Sequence, residues 1–247
     1  MIDLVAAILL SCIFAAVVGT LVALAPVSRG ARLSLLASAG LWISGFLAVY
    51  AMGGFAPGAT GPVPAVVYPF SAVLAAGLFA WTLAPGFRRA MLAVPLPALV
   101  ALHSGRLFGA FFVLLYAAGR LPAPFAPVAG WGDVAVGAAA IPIAVLAGRN
   151  ALRPRWIALW NAVGALDLIA AVSLALLSVP GTPFRLFKDG PGAATMGTLP
   201  WILIPSTLVP IYLVLHWTIA RKLALAPGTA RVPRASIPSG AADLSGG

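Results

Sequence analysis

Glutamate is absent from this 247-residue chain, and five aspartates supply all of its negative side chains. Carboxylate chemistry therefore has few candidates, and an aspartate inside an apolar stretch is informative. A single cysteine, Cys12, excludes an intrachain disulfide and a thiolate metal cluster. Charged residues make up only 8% of the chain, against about 25% in a soluble domain. No Walker motif and no dinucleotide fingerprint is present. The last apolar stretch, 198–220, contains no lysine, so a retinal Schiff base has no anchor there.

What remains is apolar. Hydrophobic residues reach 62% and the mean hydropathy is +1.07. No water-soluble fold of this size buries so much, so the expected class is an all-α, polytopic integral membrane protein. The formal charge of +10 resembles a nucleic-acid signature, but basic clusters beside apolar spans obey the positive-inside rule. The expected surroundings are lipid bilayer, with no nucleic acid.

Seven transmembrane helices are expected, at 4–24, 33–52, 65–83, 98–118, 127–148, 156–179 and 198–220. Each is near the roughly 20 residues that cross ~30 Å of hydrocarbon. Together they form one membrane domain over 1–223, followed by a Pro/Gly/Ser-rich stretch, 224–247, that reads as a disordered cytoplasmic tail. The first span lacks a basic flank, and Pro26 follows the A-x-A-like Ala23 and Ala25, so it reads as a retained span and not a cleaved signal peptide. Eleven Lys and Arg residues fall on one side of this arrangement and three on the other. That bias places the N-terminus outside and the C-terminus in the cytoplasm.

Local sequence adds three expectations. Small residues four apart, Ser11/Ala15/Gly19, Gly40/Ser44/Ala48 and Gly105/Gly109, predict faces where helices approach closely. Span five is too short if it starts at Asp133. Its helix should begin earlier, with Pro127 in the first turn, unless the segment is re-entrant. Pro200, Pro205 and Pro210 should kink or interrupt span seven.

Five polar residues sit at depth in these spans and form the candidate site: His103, Arg106, Asp133, Asn161 and Asp167. A charge at the bilayer centre costs roughly 2.5–3.5 kcal/mol on insertion scales, so a partner is required. Counting helical rise from the cytoplasmic side, Arg106 lies about 12 Å in and Asp167 about 16 Å. The two are expected to pair between spans four and six. His103 and Arg106, three apart, share a helix face. Asp133 is expected to cap a helix and to pair with Arg120 across the outer loop. His103 and His216 lie at similar depth on different spans, an arrangement that could ligate haem b or another metal. Apart from that alternative, no cofactor is expected, and no catalytic residue or metal centre is nominated.

The stretch His103-x-x-Arg106, Gly119-Arg120-Leu121-Pro122-x-x-Phe125-Ala126 and Gly130-Trp131-Gly132-Asp133, with the later Leu199-Pro200-Trp201, Ile204-Pro205 and His216, resembles a pattern in uncharacterised bacterial multi-pass membrane proteins. The resemblance covers about 97–223. It implies a bacterial cytoplasmic (inner) membrane location and carries no activity. The leading functional expectation is a permease-like or proton-coupled protein acting on a small molecule or ion. The alternatives are a haem-b electron carrier using His103 and His216, and an accessory subunit without chemistry of its own.

Overall fold

Hydrocarbon offers the backbone no hydrogen-bond partner, so a spanning chain satisfies its own N–H and C=O groups within helices. The computed structural model describes residues 1–56 and 62–226, and these are helical with no strand among them. In chain order they form α1 (Ile2–Leu24), α2 (Arg29–Ala51), α3 (Val67–Leu83), α4 (Pro85–Ala93), α5 (Leu96–Leu102), a 3-10 segment (His103–Gly109), α6 (Ala110–Ala117), α7 (Phe125–Gly148), α8 (Pro154–Leu176) and α9 (Val209–Ala224). Five stretches are long and apolar enough to cross a membrane: α1, α2, the run Leu96–Ala117, α7 and α8. A sixth is counted if α3 and α4, bent by 99° at their junction, make one span. The protein is thus a multi-pass membrane protein by the length and apolarity of its helices.

Proline accounts for the breaks. Ala84, which precedes Pro85, adopts φ −111° and ψ 92°. The ring of a following proline pushes a residue out of the α region, and the chain turns there. Further on, Pro205 has no N–H to give Trp201, and the Trp201 carbonyl accepts from Ile204 N–H instead, at 3.0 Å. The chain then widens into a π-helical turn, Ile204–Leu208, closed by a hydrogen bond from Val209 N–H to the Ile204 carbonyl. The expected helix over 198–220 is therefore regular only from Val209, with irregular turns before the π-turn. Span five resolves the other way. α7 is a continuous 24-residue helix with Pro127 in its first turn, so the re-entrant alternative does not apply. Of the expected disordered tail, 224–247, Ala224 closes α9, and everything beyond Ala226 lies outside the described residues.

α7 is the centre of the bundle. Its buried positions include Ala126, Ala129, Gly130, Asp133, Val136, Gly137, Ala140 and Ala144, a stripe of mostly small residues at helical spacing. Such a stripe lets another backbone come close. The 3-10 segment uses it. A Cβ on Gly137 would lie 2.7 Å from Leu107 N and 3.3 Å from the His103 carbonyl oxygen. α1 and α2 behave differently. Nothing lies within 4 Å of a Cβ at Gly19 or Gly40, and of α2 only Phe46 is buried. The small-residue faces expected on spans one and two therefore meet no helix of this chain at those glycines. α2 is tied to the bundle by Trp42 Nε1, which donates to Thr207 Oγ1 at 3.1 Å.

Each end of the bundle has a polar clasp. At one end Arg120 donates to both Asp3 oxygens, at 2.9 and 3.2 Å, and Trp201 Nε1 donates to Asp3 Oδ1 at 2.7 Å. At the other, Lys222 Nζ donates to the carbonyls of Leu92 and Val94, which terminate α4.

The contact at Gly137 has a direct consequence. Gly137→Val places a branched side chain against backbone that has no room to retreat. Overpacking of this kind costs typically ~1–3 kcal/mol. The thermal unfolding temperature of the purified protein in detergent should fall, while Gly40→Val, which meets open space, should leave it unchanged.

Candidate functional site

A 3-10 helix repeats every three residues, so side chains at i and i+3 eclipse. In the segment His103–Gly109 this aligns His103, Arg106 and Gly109, the three residues it buries. The row faces α7, α8 and α9. Arg106 is 3% exposed and every one of its donor groups is engaged. Its Nε donates to Asp133 Oδ1 of α7 at 2.6 Å. Its Nη2 donates to Asp167 Oδ2 of α8. Its Nη1 donates to the Gly164 carbonyl, also of α8, at 2.9 Å, and lies 3.3 Å from His216 Nε2 of α9. A guanidinium has only donors, so His216 Nε2 accepts. The ring proton of His216 then sits on Nδ1, which donates to Asn161 Oδ1 at 2.9 Å. Asn161 Nδ2 returns a hydrogen bond to the His216 carbonyl at 3.1 Å. The tautomer and the amide orientation fix each other. Gly164 is required twice here. Its carbonyl holds Arg106, and a Cβ on it would lie 2.7 Å from His216 Cε1.

His103 contrasts with this satisfied network. It is fully buried, and neither ring nitrogen has a hydrogen-bond partner. Aromatic rings surround it: His216 at 4.1 Å between centroids, Tyr212 at 5.1 Å and Trp160 edge-on at 5.3 Å. Beside the guanidinium lies a cavity of about 30 Å³, lined by Arg106, Asp133, Tyr212 and otherwise apolar residues of α1, α6, α8 and the π-turn. A water needs about 10–15 Å³, so by volume one or two fit, with Asp133, Arg106 and Tyr212 as the polar groups on a mostly apolar lining.

The structure thus joins all five expected intramembrane residues, and His216, in one cluster. The Arg106–Asp167 pair is present as expected. The expected Arg120–Asp133 pair is not. α7 begins at Phe125, so Asp133 is eight residues inside the helix and about 12 Å along it, beyond any capping position. Its carboxylate turns to Arg106, and Arg120 is taken by Asp3. Asp3, Tyr212 and Trp160 are additions. Tyr212 precedes His216 by four residues and so shares its face, a spacing readable in the sequence. Nothing local marked Asp3 as the partner of a loop 117 residues away.

The two histidine rings are in tilted contact, with planes 37° apart, and His216 has both nitrogens occupied. An iron or other metal held between them needs a nitrogen from each ring aimed at one point about 2 Å away. The arrangement does not fit such a pair. Among the described residues, no group of three or more metal-binding side chains is gathered.

Residues 63–224 match the family described as domain of unknown function DUF8737. The chain belongs to that family. The DUF8737 region begins just before α3, runs to the end of α9 and contains every residue of the cluster, while α1 and α2 precede it. No curated protein and no solved structure matches the chain.

The stoichiometry of the DUF8737 cluster makes its response to mutation asymmetric. Arg106→Ala leaves two buried carboxylates uncompensated and should cost about 3–5 kcal/mol, the range for breaking a buried pair from one side. Asp133→Asn and Asp167→Asn each leave one guanidinium against one carboxylate and should cost much less. The double variant, which strands the guanidinium, should lose more than the sum of the singles. Thermal unfolding of the four variants, matched in detergent and lipid, reads this out.

Proposed function

We propose that this is a permease-like protein of a bacterial cytoplasmic membrane, handling a small ion or molecule at the Arg106 cluster. The reading takes the chain as seven spans, with 65–83 as the third, α4 as the segment that follows it at the cytoplasmic boundary, and 198–220 as the broken seventh. The N-terminus is outside and the C-terminus cytoplasmic. Arg29, Arg32, Arg88, Arg89, Arg149, Arg153, Arg155 and Arg221 then share the cytoplasmic side, as the positive-inside rule requires.

One observation carries the proposal. A guanidinium at mid-span is held by two carboxylates from two different helices, beside a cavity with room for water. A purely structural pair needs one partner, and ionisable groups inside a membrane mark ion or substrate pathways by default. The surroundings favour movement. The guanidinium rides on a 3-10 segment in mid-span, and a proline-broken π-turn lines the cavity. Both are irregularities that recur at functional sites.

Purified protein in liposomes tests this. A pH gradient is imposed with valinomycin and potassium to clamp the potential, and a trapped pH-sensitive dye is followed. Vesicles with the native chain should dissipate the gradient faster than empty vesicles, and Asp167→Asn vesicles should behave as empty ones. Native and Asp167→Asn vesicles that are both indistinguishable from empty ones would count against a proton-coupled permease and for an accessory role.

A further inference from the structure

We infer that the cluster binds a single proton, shared between Asp133 and Asp167, and that this proton rather than a metal cation is the ion the site carries. The inference rests on reading the cluster as the working site and names the species held there.

Charge counting comes first. Arg106 contributes one positive charge, and Asp133 and Asp167, both bonded to it, contribute two negative charges when ionised. One uncompensated negative charge would remain, with the guanidinium and most of both carboxylates buried. The carboxylate side chains are each only 13% exposed, and the guanidinium side chain 1%. An uncompensated charge in a low-dielectric interior costs several kcal/mol, so a further unit of positive charge must join the cluster.

The donor set excludes a bare metal ion. Hard cations such as calcium or magnesium take about six or more oxygen ligands. The cavity beside Asp133 offers oxygen-bearing side chains only from Asp133 and Tyr212, and the rest of its side-chain lining is Arg106 and hydrocarbon. A guanidinium within hydrogen-bond distance of both carboxylates also repels a cation.

Elimination then places the proton. The titratable or charged groups facing the carboxylates are Arg106 and His103 from the 3-10 segment, and Tyr212 and His216 from α9. α8 adds the neutral Asn161, and α1 contributes only Leu10 and Ile13 to the cavity. His216 cannot take the proton, because its free nitrogen already accepts from Arg106 and would become a donor facing a donor. His103 cannot hold it in this arrangement, because an imidazolium there would have two N–H groups and no acceptor. Among the described residues each carboxylate, by contrast, accepts from Arg106 at one oxygen and makes no hydrogen bond with the other, Asp133 Oδ2 and Asp167 Oδ1. The proton adds to one of these oxygens as a single O–H, which leaves that carboxyl uncharged while the other carboxylate balances Arg106, so the cluster becomes neutral without burying an imidazolium. His103 is the independent sign of traffic. A fully buried imidazole with both nitrogens unpartnered among the described residues, in tilted contact with the histidine that touches Arg106, is the next acceptor once the ring finds a new orientation or a water.

Infrared difference spectroscopy on the purified full-length protein tests binding without transport. At neutral pH the native chain should show one protonated-carboxyl C=O stretch, absent at high pH. Asp133→Asn and Asp167→Asn should each abolish it, because a lone carboxylate beside the guanidinium needs no proton. Replacing potassium chloride by sodium chloride should leave the band in place. No band in the native chain, a band that survives in both variants, or a band that sodium titrates away would overturn the inference. If the variants fail to fold, the pH and sodium titrations of the native chain decide alone. A silent liposome assay with a normal band would sink the permease reading and leave the proton site standing.

Discussion

The structure depends on how one guanidinium is satisfied inside a membrane. Arg106 carries five N–H donors in a rigid plane, and no solvent is there to receive them. Its acceptors come from α7 through Asp133, from α8 through Asp167 and the Gly164 carbonyl, and from α9 through His216. None of these helices can slide along another without breaking a charge-assisted bond. The hydrophobic effect, which ranks helix positions in water, gives little guidance here, because lipid tails are as apolar as leucine. Close packing and polar contacts must fix the arrangement, and the glycines that let the 3-10 segment settle against α7 serve the same end.

Membership of a family of unknown function bounds the site without explaining it. The matched region holds the whole cluster and both partners of the Lys222 clasp. It leaves out α1 and α2, and with them Asp3, which closes the opposite end against Arg120 and Trp201. The two parts also differ in packing. α7 is lined with buried residues, whereas α2 buries one. The cluster is therefore assembled by the helices of the family region, with α1 lining the cavity through Leu10 and Ile13.

Some of this was legible in the residues alone. An arginine and an aspartate at matching depth in two apolar helices must meet or face lipid, and helical rise is enough to align them. The same alignment holds for Asp133 and is not carried through there, since its expected partner is the nearest loop cation. A helix over 127–148 already holds Asp133 six residues in, yet its carboxylate is assigned to Arg120 and not to Arg106; Gly130 and Gly132 are packing surface within α7. Arg120 and Asp3 could not be matched by depth or spacing, since a chain terminus and an interhelical loop offer neither. The count of spans blurs where prolines fall. Apolarity identifies a stretch as membrane-embedded, but the 99° bend at Pro85 depends on the proline ring's clash with the residue before it, and the π-turn at Ile204–Leu208 on a missing N–H, neither of them on hydropathy.

The 3-10 segment links fold to function. In an α-helix, three residues fall about 60° short of a full turn, so His103 and Arg106 would diverge around the axis. In the 3-10 form they align, and both enter the same buried row. Runs of this length are uncommon because their hydrogen bonds are poorer than those of an α-helix. The segment is held in that form by what its side chains reach: two carboxylates, a carbonyl and an imidazole for Arg106. His103 pulls the other way, since its alignment leaves both ring nitrogens unsatisfied. Neutralising a carboxylate weakens the hold on Arg106 but does nothing for His103. The segment's geometry and the cluster's contacts therefore depend on one another: the 3-10 turn is what brings Arg106 to both aspartates and leaves His103 buried beside them.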